Sequence, residues 1–98
     1  MDGALPGSEI VARGIEDLAR GVESQEALLV SIGAPRLRRI GFSIPQTLPA
    51  PEDSLYELLA RTDPDSAHSR YNALIRRLVS FERAAERAAT LTPSETGS

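Results

Sequence analysis

The 98-residue sequence contains no cysteine, which excludes a disulfide-stapled scaffold and thiolate metal sites. It has one histidine, His68, so a metal site made of several histidines cannot form within one chain. The longest apolar run, residues 27–30, is far shorter than the roughly 20 residues of a membrane-spanning helix. No basic region followed by an apolar stretch marks a signal peptide. These absences predict a cytoplasmic protein without a metal or cofactor.

Lysine and tryptophan are also absent, so all eleven basic residues are arginines, and aromatic residues make up only 4% of the chain. The scarcity of aromatics removes the stacking platforms of single-stranded nucleic-acid binders. A net charge of −3 argues against a strongly basic nucleic-acid-binding protein. The arginines are nevertheless clustered, with three in residues 34–43 and five in residues 69–90. Their planar guanidinium groups suit carboxylates and phosphates at interfaces.

Recognisable catalytic motifs are missing as well. The chain has no glycine-rich phosphate-binding loop. Asp65 and His68 share one helical face and have serines beside them, which matches a nucleophilic triad in composition only. A hydrolase would also need an oxyanion site and a pocket, which this helix start does not offer. The sequence therefore predicts a protein that is not an enzyme.

Apolar residues at helical spacing are the main positive signal, and no alternating pattern competes with them. Ser8 is a candidate cap for a first helix that ends near Gly21, and Ser24 is a candidate cap for a second. Gly33 and the following Pro35 predict that the second helix stops there and that a short third helix runs to Gly41.

A proline-containing extended connection follows, and Pro51 begins the next helix. Asp63 then has the character of an N-cap, with Pro64 at the first position of a last helix over residues 64–90. That helix would be roughly 40 Å long at 1.5 Å per residue. It carries a heptad seam of apolar residues: Tyr71, Leu74, Leu78, Phe81, Ala85 and Ala88, with Ala67 one turn earlier.

The expected fold is all-α, with four or five helices in which short N-terminal helices pack on one long C-terminal helix. Residues 8–91 form a single helical domain, and residues 1–7 and 92–98 are expected to be disordered tails. The short helices are expected to cover about half of the seam. An uncovered apolar seam would mark an interaction site.

The partner-binding residues predicted from this pattern are the large seam residues, the two arginines at the seam's edge and the arginines of residues 34–43. They are Arg70, Tyr71, Leu74, Arg77, Leu78, Phe81, Arg36, Arg38 and Arg39. The alternative interpretations are that the seam belongs to an ordinary core helix and that the arginines are charges exposed to solvent.

Two other functions stay open at this point. Residues 24–42 have the outline of a helix-turn-helix, with Gly33 in the turn, which would suit a small DNA-binding regulator. The second helix would be only about six residues long, however, and Arg39 would fall where a buried residue belongs. A plain helical homo-oligomer is the third possibility.

Two stretches, EALLVSIGAPRLRRIGFSIP (26–45) and SLYELLARTDPDSAHSRYNALIRRLVSFERAAE (54–86), resemble the MenA-type antitoxins of bacterial nucleotidyltransferase toxin–antitoxin systems. The resemblance covers about half of the chain and rests on the overall pattern of residues. It implies a non-enzymatic protein that binds a tRNA-modifying nucleotidyltransferase toxin directly and inhibits it. It also implies arginine patches that pair with carboxylates near the toxin's metal site. It assigns no role to an individual residue.

Overall fold

A computed structural model of the protein describes residues 5–91, with side chains through residue 89, as four α-helices. They are α1 (Ser8–Ala19), α2 (Gln25–Ile40), α3 (Pro51–Thr62) and α4 (Ala67–Leu91). Within the described range there is no strand. The predicted all-α class, with shorter N-terminal helices packed on a long C-terminal one, is confirmed.

The α1–α2 connection forms where the sequence predicts it. Gly21 has a φ of 74°, and the N–H groups of Gly21 and Val22 donate to the carbonyls of Leu18 and Asp17, which closes α1 with a Schellman motif. Ser24 then caps α2, because its hydroxyl accepts a hydrogen bond from the Ala27 N–H at 3.1 Å. The same hydroxyl donates to the buried Asp17 carboxylate. One serine therefore joins the end of α1 to the start of α2.

The predicted break at Gly33 is wrong, because α2 continues through Gly33 and Pro35 to Ile40. Proline inside a helix removes one backbone hydrogen bond and costs about 3 kcal/mol. Against that cost, the unbroken helix keeps both Ala34 and Leu37 in the core, at 1% and 0% exposure. Residues 24–42 therefore contain no helix-turn-helix, and the short third helix predicted over residues 35–41 is the last part of α2.

The connection from α2 to α3 is attached to α2 by two side chains. Gly41, with a φ of 125°, ends the helix in a second Schellman motif. Arg38 Nε donates to the Ile44 carbonyl at 2.7 Å, and the Leu48 N–H donates to the buried Ser31 hydroxyl at 3.0 Å. Ile44 itself is buried. The extended chain thus becomes a cover for one side of α2.

Pro51 begins α3 as predicted, whereas α4 begins three residues later than predicted. Residues 64–66 form a turn, and Asp63 closes it by accepting from the Asp65 N–H at 3.2 Å. The Ser66 carbonyl accepts the helical hydrogen bond from Arg70, so the helix follows Ser66. Asp63 therefore organises a turn and does not cap α4.

The core surrounds α2, which packs against each of the other three helices. The fully buried Leu29, Val30 and Leu37 of α2 belong to the same cluster as Leu55 and Leu59 of α3. On α4 the seam contributes Ala67, Leu74, Leu78, Phe81 and Ala85, all of them buried. The chain therefore covers the seam well beyond the half expected from the sequence.

Gly14 explains how closely α1 approaches α2. A β-carbon at this position would overlap the Glu26 carbonyl oxygen and the Val30 side chain of α2. The glycine is buried, and the contact between α1 and α2 is the most extensive of the helix pairs. Glycine is thus required at position 14 because the α2 backbone lies so close to it.

The predicted tails fall mostly outside the described residues, which begin at Leu5 and end at Leu91. Residues 5–7, which the sequence assigns to the first tail, form a turn in which Leu5 packs on the core. Gly7, with a φ of 79°, precedes α1 and lies against Arg77 and Phe81 of α4. The folded unit therefore begins at least three residues before the predicted start at residue 8.

Among the described helices, none is long and apolar enough to cross a membrane.

Replacing Gly14 with alanine should destabilise the protein by about 1–3 kcal/mol, because the new methyl group has no room between α1 and α2. Helix propensity alone predicts the opposite sign, a gain of about 1 kcal/mol. Urea unfolding followed by circular dichroism measures the difference. The matched control is Ala12→Gly on the exposed side of α1, which should cost only the propensity term. A Gly14→Ala protein more stable than the parent would contradict the packing.

Candidate protein-binding site

Three predicted partner-binding residues lie in the protein's own core. Leu74, Leu78 and Phe81 are 9%, 3% and 4% exposed. Tyr71 is half-buried, and its ring lies 5.8 Å from that of the more exposed Tyr56 on α3. The structure thus uses the large seam residues for packing against α2 and α3. Of these four, only Tyr71 presents a substantial part of its surface to solvent.

Arg36 is committed to an internal ion pair. Its Nε and Nη2 atoms donate to the two carboxylate oxygens of Glu86 at 2.9 and 2.7 Å, and its Nη1 donates to Glu82 at 3.3 Å. The bidentate geometry with Glu86 is the strongest form of arginine–carboxylate contact. This arginine therefore ties α2 to the C-terminal half of α4 and is not available to a partner's carboxylate.

Gly33 makes that ion pair possible. A β-carbon there would lie 2.7 Å from the Glu82 carboxylate and 3.0 Å from the Leu78 methyl groups. Because Gly33 lacks one, α4 approaches α2 closely enough to bury Glu82 to 4% exposure. Burial raises the pKa of Glu82, with Arg36 opposing the shift, whereas the hydrogen bonds from Arg36 lower the pKa of Glu86. The pKa values of these two neighbouring glutamates are thus shifted in opposite directions.

Arg38 and Arg39 differ in their roles. Arg38 holds the connection after α2 through its bond to the Ile44 carbonyl, although much of its side chain is exposed. Arg39 is exposed near Glu86, and its charge contributes to the lowered pKa of that glutamate. Of the three arginines predicted in residues 34–43, Arg39 is therefore the most accessible to a partner.

The arginines of α4 are exposed, three of them opposite the seam and two at its edge. Arg70, Arg76, Arg77, Arg83 and Arg87 are all exposed. In the described part of the chain, none of the five lies within ion-pair distance of a carboxylate. Arg70 and Arg77 are seven residues apart and so share one edge of the helix, which we call the arginine edge. This edge matches the placement predicted from the sequence.

An apolar groove opens on the same side of α4. Its walls are α1 with the preceding Leu5, Phe42 from the connection after α2, and Phe81 of the α4 seam, and its volume is about 610 Å³. The residues that line this α1–α4 groove are Leu5, Ser8, Val11, Ala12, Ile15, Phe42 and Phe81. The rings of Phe42 and Phe81 are tilted by 53° to each other, with their centroids 5.5 Å apart. Arg77 precedes Phe81 by four residues, so the arginine edge lies beside the groove.

Asp65 and His68, near the start of α4, do not form part of a catalytic triad with the neighbouring serines. His68 is exposed, with its Nε2 atom 3.2 Å from the Asn72 amide and its ring against Tyr56. No hydrogen bond joins it to Asp65 in the described residues. Across residues 5–89, no three acidic or histidine side chains are grouped so that they would hold a metal ion.

Sequence reasoning missed both Glu82 and the groove. The signal for the first is the like-charged pair Glu82 and Glu86, one turn apart, which predicts a shared cation from another helix. Arg36 supplies it from 46 and 50 positions away. The groove has no such signal, because its lining comes from three separate segments whose apolar residues appear as ordinary core positions.

Comparisons of the chain with known protein families, with characterised proteins and with solved structures found no match. Across residues 5–91, the fold and the site therefore define an arrangement of four helices with an apolar groove beside an arginine edge.

Glu82→Gln and Glu86→Gln should change stability in opposite directions at pH 7. Ionised Glu82 has a raised pKa, so its charge costs stability at neutral pH, and that cost disappears as the pH falls through the raised value. Ionised Glu86 has a lowered pKa, so its charge contributes stability above about pH 4.3, which is lost as the pH falls further. Glu82→Gln should raise the melting temperature and Glu86→Gln should lower it.

Thermal unfolding followed from pH 7 downward measures both effects, and the two variants should approach the parent as its glutamates become protonated. Glu57→Gln, an exposed change on α3, is the control. Equal losses in both variants at pH 7 would contradict the burial of Glu82.

Proposed function

We propose that the protein is a cytoplasmic, non-enzymatic antitoxin that binds and neutralises a nucleotidyltransferase-type toxin. The resemblance of residues 26–45 and 54–86 to MenA-type antitoxins supplies the toxin class. The geometry supports the more general half of the proposal, which is direct binding to a protein with an acidic surface.

The observation that carries the proposal is the exposed face of five α4 arginines without carboxylate partners among the described residues. The same chain neutralises Arg36 with two glutamates and Arg20 with Asp17. Other arginines without an ion pair among the described residues are scattered over α1, α2 and α3, whereas α4 alone carries five of them. A face of this kind complements carboxylates on a partner, which is what the metal site of a nucleotidyltransferase presents.

The arginines also lie on a rigid support. They project from a helix of 25 residues whose opposite side is fixed in the core from Ala67 to Ala85. Little backbone ordering is then needed on binding, which lowers the entropic cost of the complex. In this mechanism the antitoxin acts as a preformed surface that covers the toxin's acidic site.

Co-expression with the product of the neighbouring gene tests the proposal. The two proteins should copurify, and growth arrest caused by that product should be relieved by this chain. Arg77→Glu should weaken the complex by about tenfold, because a charge at an interface rim is reversed. The matched control is Arg61→Glu, which reverses one exposed charge on α3 and should leave the complex unchanged.

A chain that neither binds the neighbouring product nor relieves its toxicity would overturn the proposal. Salt-dependent, sequence-selective binding to its own promoter would instead favour a DNA-binding regulator.

A further inference from the structure

We propose that the α1–α4 groove is the docking site for an amphipathic helix of the partner protein, one that carries acidic residues along the edge facing Arg70 and Arg77. The identity of the partner rests on the proposed function, whereas the chemistry of the occupant follows from the groove itself.

The lining of the groove requires an apolar occupant. Six of its seven lining residues have apolar side chains, and only Ser8 offers a side-chain polar group. Small-molecule sites place several polar groups so that they converge on the ligand and orient it. This groove has no such set, so shape and apolar contact must provide the recognition. A peptide helix with apolar side chains at positions i, i+3, i+4 and i+7 recognises a groove in that way.

The dimensions also suit a helix. The groove follows α1 from Ser8 to Ile15, which is about two turns or 10 Å of helix. Its volume of about 610 Å³ accommodates several large side chains. Ala12, midway along α1, is exposed and small, so it leaves the mouth of the groove open.

Charge determines the orientation and composition of the occupant. Arg77 lies one turn before Phe81 on α4, and its backbone is next to Gly7, which precedes α1. Arg70 lies two turns before Arg77 on the same edge of α4. The α1 side differs, because the exposed Glu9, Arg13 and Glu16 share one flank there. A helix in the groove would therefore meet cations along the α4 edge and charges of both signs along the α1 edge. Acidic residues facing α4 would be attracted to its arginines, whereas basic residues in the same positions would be repelled.

Two synthetic helical peptides provide the probes. Both are 16 residues long with the same leucine stripe, and one has glutamates along the flank that faces α4 whereas the other has lysines there. Fluorescence anisotropy with the full chain should show saturable binding of the glutamate peptide, about tenfold tighter than that of the lysine peptide. The difference should shrink as salt is raised from about 0.05 to 0.5 M, because exposed charges are screened.

Variants of the chain locate the binding. Ala12→Gln, which narrows the opening of the groove, should weaken binding of the glutamate peptide about tenfold. Arg77→Glu should abolish the difference in affinity between the two peptides. The matched control is Ala73→Gln, the same change at an exposed alanine of α4 outside the groove lining, and it should bind as the parent does. Circular dichroism confirms that each variant is folded.

Equal affinity for the two peptides, or equal binding by Ala12→Gln and the parent, would overturn the proposal. So would tight binding of decanoate without peptide binding, which would assign the groove to a small apolar ligand, or a dimer that Ala12→Gln dissociates, which would assign it to a second copy.

The same variants separate this inference from the proposed function. If Ala12→Gln relieves the toxicity of the neighbouring product as well as the parent does, the function holds and the groove assignment fails. If the glutamate peptide binds as expected and the neighbouring product does not, the toxin assignment fails and the groove chemistry holds.

Discussion

The close approach of α2 and α4 at Gly33 is the constraint on which the rest of the structure depends. Without a β-carbon at that position, the Leu78 methyl groups and the Glu82 carboxylate reach the backbone of α2. A carboxylate so deeply buried needs a cation, and Arg36, one turn further along α2, supplies it. This arrangement requires α2 to remain helical through Pro35, so packing and an ion pair outweigh the local preference of proline.

That constraint determines which surfaces remain available. Because α2 and α3 cover the α4 seam as far as Ala85, the large seam residues stabilise the fold, and the arginines of α4 are left exposed for other contacts. Because α1 packs on α2 through Gly14, it lies beside α4 without closing against it. The groove between them is thus a consequence of two close helix contacts elsewhere. The proposed partner helix would occupy the space that α1 leaves open.

Much of the fold could be predicted from local chemistry. Apolar spacing identified the helical content, Ser24 and Pro51 marked two helix starts, and Gly21 and Gly41 marked two ends. Apart from the start of α4, where Asp63 forms a local turn, the predictions that failed concern residues whose role depends on distant partners. Gly33 has the same local signature as a helix-ending glycine, and only α4 shows that it is a contact point. Arg36 likewise resembles the exposed Arg39 until Glu82 and Glu86 are placed beside it. Arg70 and Arg77, which are exposed on α4, could be placed on one edge of the helix from helical spacing alone.

The chain covers its own α4 seam, and we propose that it binds partners beside that seam. Hydrogen exchange of the isolated chain, measured at several protein concentrations, tests the coverage most directly. The amides of residues 74–85 should exchange as slowly as those of residues 28–37 at every concentration. Fast exchange of residues 74–85 in the isolated chain, with protection appearing only at high concentration or with a partner, would contradict it.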